Sequence, residues 1–214
     1  MSSISKGTKY GSVRALAVFF LGFVAFWIVA IILIWQLGLV PEPLRRWPRN
    51  AIWLGASFAW ILWRRPASPM EWLGLWPISL RKFGLAVAGF VSILGWNWLR
   101  VNFLATSVNG AAFAEPDLLV WSFIGVFVEE LLFRGVVQTQ IAETYSALTA
   151  ILITSVLFLA IHVPGWIILS IPVNAATVAT VFLVGLICGA VRQWSKSLWP
   201  GVAIHWSNNL GAMF

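Results

Sequence analysis

Charge is scarce in this chain. Only 10% of its 214 residues are Asp, Glu, Lys or Arg, whereas 60% are hydrophobic, a balance outside that of ordinary soluble domains. Acid is scarcest, and Asp117 is the only aspartate, so no catalytic pair of aspartates can be built. A single cysteine, Cys188, excludes an intrachain disulfide framework and, lying in an apolar run, gives no sign of redox compartment. Histidine occurs twice, and neither His162, followed by Val163, nor His205, followed by Trp206, opens an H-E-x-x-H metalloprotease motif. Repeats, low-complexity tracts and long linkers are missing too, which makes residues 1–214 read as one integral-membrane domain. The formal charge of +7 does not point to nucleic acid, because the basic residues gather at the ends of apolar runs, as membrane anchors do.

What is abundant is apolar sequence. Runs at about 15–40, 50–63, 83–108, 118–141, 147–171, 174–191 and 198–214 predict an all-α, polytopic transmembrane helical bundle of about seven helices, within a range of six to eight. The run at 50–63 is short for a crossing and suits a tilted, interfacial or re-entrant helix. The first run is longer than the apolar part of a signal peptide and has no small-residue cleavage site, so it reads as a retained helix. A cytoplasmic N-terminus puts Lys6, Lys9, Arg14, Arg64, Arg65, Arg81, Lys82, Arg192 and Lys196 inside. The loop at 109–117, with Glu115 and Asp117, then faces out, as do Arg45, Arg46 and Arg49, against the positive-inside rule.

Against this background the segment FVEELLFRG, residues 127–135, stands out, because it places Glu129, Glu130 and Arg134 inside an apolar run. An ionisable side chain at mid-membrane costs roughly 2.5–3.5 kcal/mol on insertion scales, so such groups persist when they are paired, face protein or water, or serve a function. Glu130 and Arg134 stand four residues apart with the acid first, the favourable order for a helical ion pair. Glu129 is left without a partner, and helix-to-helix glue alone does not explain it.

Both histidines also lie in apolar runs. Phe158 and His162 share a helix face by i, i+4 spacing, as do His205 and Asn209, so three helices can each turn polar groups inward. Ser207 and Asn208 read as packing or local hydrogen bonding, and Ser57 on the short helix as packing. A desolvated glutamate beside an imidazole can act as general base on water, and a second histidine with an asparagine amide can donate to an oxyanion. That set would hydrolyse an amide. A metal site is the alternative, with Glu129, His162 and His205 as zinc ligands.

The motifs EELLFR, FLAIH and HWSNN have the E-E-x-x-x-R, F-x-x-x-H and H-x-x-x-N forms, in order, of the CPBP intramembrane proteases, which include the type II CAAX prenyl proteases and bacterial Abi proteins. The chain resembles that family over residues 129–209, within a motif-bearing core of about 118–214. The resemblance implies a membrane endopeptidase acting on a peptide or protein substrate in or at the bilayer. It implies that Glu129 and His162 activate water, that His205 and Asn209 form the oxyanion hole, and that Glu130, Arg134 and Phe158 shape the site. No cofactor is favoured, zinc being the candidate if the site is metal-dependent. A non-catalytic membrane scaffold or bacteriocin-immunity-type protein with the same fold is the competing expectation.

Overall fold

The computed structural model describes residues 6–103 and 116–211. The expectations placed on Glu115, the loop at 109–115 and the last three residues lie outside the described residues. Within them every regular element is helical. The order is α1 (Lys6–Ile31), α2 (Arg46–Arg64), α3 (Pro69–Trp72), α4 (Leu80–Phe103), α5 (Pro116–Glu130), α6 (Thr139–Ala142), α7 (Ala147–Ala160), α8 (Val163–Ile168), α9 (Ala175–Ser195) and α10 (Trp199–Gly211). Two π-helical stretches extend helices, Ile32–Gln36 after α1 and Leu131–Gln138 between α5 and α6.

Each of the seven apolar runs corresponds to a helical stretch. Four of these are long and apolar enough to cross a membrane, at Val13–Gln36, Leu80–Arg100, Ala147–Ile168 and Ala175–Ser195, and at most a third of each is buried by protein. Their outward faces therefore need an apolar solvent, and the protein is an integral membrane protein. The other three stretches behave differently. Helix α2 is 19 residues long and buries one stripe, Asn50, Trp53, Ser57, Trp60 and Ile61, at the spacing of a helix face. The stretch from α5 to α6 carries the three charges of the FVEELLFRG segment. Helix α10 has 13 residues, about 20 Å by helical rise, and is mostly enclosed.

Proline accounts for one departure from the expected helices. The run at 147–171 is two helices, because Pro164 has no N–H to donate to Ala160, and a turn at Ile161–His162 separates α7 from α8. Side chains cap other starts: Ser146 Oγ accepts from the Thr149 amide at 3.2 Å, and Asn174 Oδ1 from the Thr177 amide at 2.9 Å.

The core is aromatic and centres on the π-helical stretch. Phe133, wholly buried, meets Phe20 of α1 at 5.8 Å, Trp53 of α2 at 5.9 Å and Phe158 of α7 at 5.1 Å between ring centroids. From the other side comes α9, whose Gly185 and Gly189 lie one turn apart. A Cβ on Gly185 would sit 3.2 Å from Ser155 of α7, and one on Gly189 3.2 Å from Ile151. The small residues let two membrane helices approach closely. At the far end of the stretch, Glu143 accepts from Arg64 at 2.9 Å and from Trp72 at 2.7 Å, tying α2 and α3 to the end of α6.

Candidate active site

Glu129 and Glu130 end the α-helical part of α5, where the backbone widens into i→i+5 hydrogen bonding at Leu131. Single π segments of this kind often accompany functional sites, since they redirect side chains along an otherwise regular helix. The hydroxyl of Thr139 donates to the carbonyl of Arg134, five residues earlier, at 3.1 Å. Here the stretch aims Arg134 back at Glu130 and across at α9.

Glu130 and Arg134 are wholly enclosed. Arg134 Nη1 donates to Glu130 Oε1 at 2.8 Å, and Nη2 donates to the Gly185 carbonyl at 3.2 Å. One turn on, Gln138 Nε2 repeats the pattern on the Gly189 carbonyl at 2.8 Å. The two glycines of α9 thus bring main-chain acceptors within reach of the polar side chains of the π-helical stretch. The guanidinium also lies over the Phe158 ring, 4.3 Å from its centroid. Phe158 in turn touches both histidines edge to face, His162 at 4.9 Å and His205 at 5.5 Å. Its position makes Phe158 the spacer of the whole cluster.

Hydrogen bonds fix both imidazoles. His162, at the break before α8, points Nδ1 at the Phe158 carbonyl at 2.7 Å. A carbonyl only accepts, so Nδ1 carries a proton, and in the neutral ring Nε2 keeps its lone pair. His205 of α10 reaches Glu130 Oε1 through Nδ1 at 2.9 Å, while its Nε2 stands 3.8 Å from Glu129 Oε2, beyond hydrogen-bonding distance. No acid neighbours either histidine in sequence, yet an acid from α5 orients one and a main-chain carbonyl the other.

Glu129 is not unpartnered. Its Oε1 accepts from Nη2 of Arg49, a residue of α2 that the sequence pattern places only among outward-facing anchors. The guanidinium reaches it across Gly125, one turn before Glu129, where a Cβ would lie 2.5 Å from Nη1. The glycine is the gap that admits the arginine.

Glu129, His162, His205 and Asn209 line one cavity of about 260 Å³, together with Phe158, Arg49 and Asn208. Asn208 makes the local hydrogen bond expected of it, Nδ2 donating to Asn209 Oδ1 at 3.4 Å, and also lines the cavity; the Asn209 amide N–H groups are left as donors. Ser207 does pack, donating to the Phe90 carbonyl at 2.8 Å, and Ser57 bonds its own helix at the Trp53 carbonyl at 3.1 Å. Among the described residues no three His, Cys, Asp or Glu side chains come together as metal ligands would. Glu129 already faces a guanidinium, which would repel a cation bound there. As arranged, the donor set does not fit a metal ion.

Residues 111–211 match the family model described as Rce1-like, type II CAAX prenyl endopeptidase Rce1-like. The match covers the motif-bearing part of the chain, a little under half of its length. All three motifs fall inside the match, and the family is one of CAAX-type membrane proteases; Arg49 falls outside it. No curated protein and no solved structure matches the chain.

Proposed function

We propose that the protein is an intramembrane endopeptidase that hydrolyses a peptide bond of a membrane-associated or lipidated substrate with a water activated by Glu129 and His162. The observation that carries this reading is the cavity itself, which collects two carboxylate and imidazole acceptors and two donors from α5, the α7–α8 break and α10. Glu129 takes the proton of the attacking water, and His162 Nε2, its lone pair held open by the bond from Nδ1 to Phe158, orients that water. Water then adds to the carbonyl carbon, and the proton passes to the leaving amine as the C–N bond breaks.

His205 and Asn209 stabilise the oxyanion on this reading. An ionised Glu130 can only accept, so His205 Nδ1 must carry a proton toward it, and Nε2 donates to an oxyanion only when the ring is doubly protonated. Glu130 and Arg134 hold the histidine in place and do no bond-breaking themselves. The ion pair between Arg49 and Glu129 supports treating residues 1–214 as one working unit, with the motif-bearing core at about 118–214 dependent on α2. No step needs a metal.

The test is reconstitution of the purified protein in bilayers with membrane-anchored peptides, with and without a lipid group, and mass spectrometry of the products. Cleavage by the wild type that Glu129→Gln abolishes supports the reading. Intact peptides throughout would favour the scaffold alternative.

A further inference from the structure

Arg49 has no place in the mechanism above. It lies outside the three motifs, yet its guanidinium ends on the carboxylate assigned as the base. It also walls two spaces at once. Besides the cavity already described, a second of about 190 Å³ lies between α1, α2 and the α7–α8 break, and Arg49, Glu129 and His162 line both. The rest of that second lining is apolar and rich in indole, including Trp27, Trp35 and Trp166, and Arg49 is its one cation among the described residues.

Two observations say that Glu129 is an exchangeable partner for this arginine. The first is chemical: the guanidinium occupies Glu129 Oε1, so an exchange of partners would free that oxygen for a water in the cavity. The second is geometric. The arginine side chain keeps 30% of its surface exposed, against none for Arg134, and its remaining side-chain bond is to its own neighbour, Nη1 to Asn50 Oδ1 at 3.1 Å. Five N–H donors in a planar fork leave room for a second acceptor from the cavities. In an apolar, aromatic space the group that best replaces one carboxylate on a guanidinium is another carboxylate.

We propose that Arg49 is a specificity-determining residue of the protease, which binds a carboxylate of the substrate in the tryptophan-lined cavity and, in exchanging partners, releases Glu129 to act on water. The proposal rests on the reading of Glu129 as the base. The carboxylate is either the free C-terminus of the peptide or an acidic side chain beyond the scissile bond, and the apolar residues next to it fill the indole-lined space.

The test uses three versions of one membrane peptide: a free C-terminal acid, the C-terminal amide, and the amide with a glutamate placed near its end. Wild-type protein in bilayers should cleave the free acid with kcat/KM roughly tenfold or more above that of the amide, as expected for a charge-assisted pair. Recovery by the glutamate version would identify a side chain as sufficient. Arg49→Gln should lose the preference, and Arg49→Lys, which keeps the charge without the fork, should retain part of it. Equal cleavage of acid, amide and glutamate versions by the wild type overturns the role of Arg49 and leaves the protease reading standing, as does a preference that survives in Arg49→Gln. The wild-type comparison needs no variant to fold. Wild type that cleaves no peptide at all overturns both readings together.

Discussion

Two ion pairs rise from successive residues of one helix and meet opposite surroundings. Glu130 pairs with Arg134 four residues away, both side chains sealed from any solvent, with a carbonyl of α9 and a phenyl face completing the arginine's contacts. Glu129 pairs with Arg49 eighty residues away on another helix, partly exposed, at the wall shared by two cavities. A charge pair that is closed on all sides can only hold shape, because separating it leaves an uncompensated charge in a poorly solvated place. A pair that borders open space can change partners. On the proposed mechanism, adjacent glutamates divide structure from chemistry.

The sharpest way to break that division is on the chemical side. Glu129→Gln keeps the size of the side chain and removes the proposed base, so peptide cleavage should fall by roughly 10²–10⁴-fold with thermal stability close to wild type. His162→Ala should do the same. The double variant should be scarcely slower than either single one, since members of a catalytic unit do not contribute additively. Near-normal turnover in Glu129→Gln would remove it from the mechanism.

On the structural side the readout is reversed. Arg134→Ala leaves sealed Glu130 without its cation and with only His205 Nδ1 against it, and deleting one partner of a buried pair costs roughly 3–5 kcal/mol. The yield of folded, detergent-extracted protein and its unfolding temperature should both drop. Wild-type stability with activity alone abolished would mean that Arg134 meets the substrate, and the contrast between the two pairs would fail.

A smaller effect is expected at Gly201 of α10, four residues before His205. A Cβ there would lie 3.3 Å from Glu130 Oε2, close enough to press α10 away by a few tenths of an ångström. Gly201→Ala gains roughly 0.5–1 kcal/mol of helix propensity in return. Stability should stay within about 1 kcal/mol of wild type while turnover falls less than in Glu129→Gln. A loss of stability as large as that of Arg134→Ala would show that α10 cannot give at all.

The parts of this arrangement that sequence makes legible are those carried by local spacing. Seven apolar runs became seven helical stretches, and the i, i+4 offsets correctly put Arg134 on Glu130 and Phe158 against His162. The partner of Glu129 was not legible, because an arginine near the start of a helix looks like any interfacial anchor and nothing in local spacing links residues eighty apart. Two signals were there to be read. Pro164 marks the break that leaves His162 in a turn, and the Gly185 and Gly189 spacing marks where α9 comes close enough for its carbonyls to reach Arg134 and Gln138. The π-helical stretch has no comparable signature, since its sequence satisfies an α-helix equally well.

The smallest effect is expected from removing metal ions, and it bears on the same comparison from the side of Glu129. Sequence offers Glu129, His162 and His205 as three possible ligands, and the absence of an acid beside either histidine argues against tight binding. That argument does not survive the structure, because Glu130 orients His205 and the Phe158 carbonyl orients His162. A different one replaces it. The nitrogen of His205 that faces Glu129 stands 3.8 Å from its carboxylate, and the other oxygen of that carboxylate holds a guanidinium, so a divalent cation bound there would share its one charged ligand with Arg49 and be repelled by it. Protein dialysed against a strong chelator should therefore cleave peptides as before, and elemental analysis should find well under one metal per chain. Activity lost on chelation and restored by stoichiometric zinc would make Arg49 the group that leaves when the metal binds, and would reassign Glu129 from base to ligand.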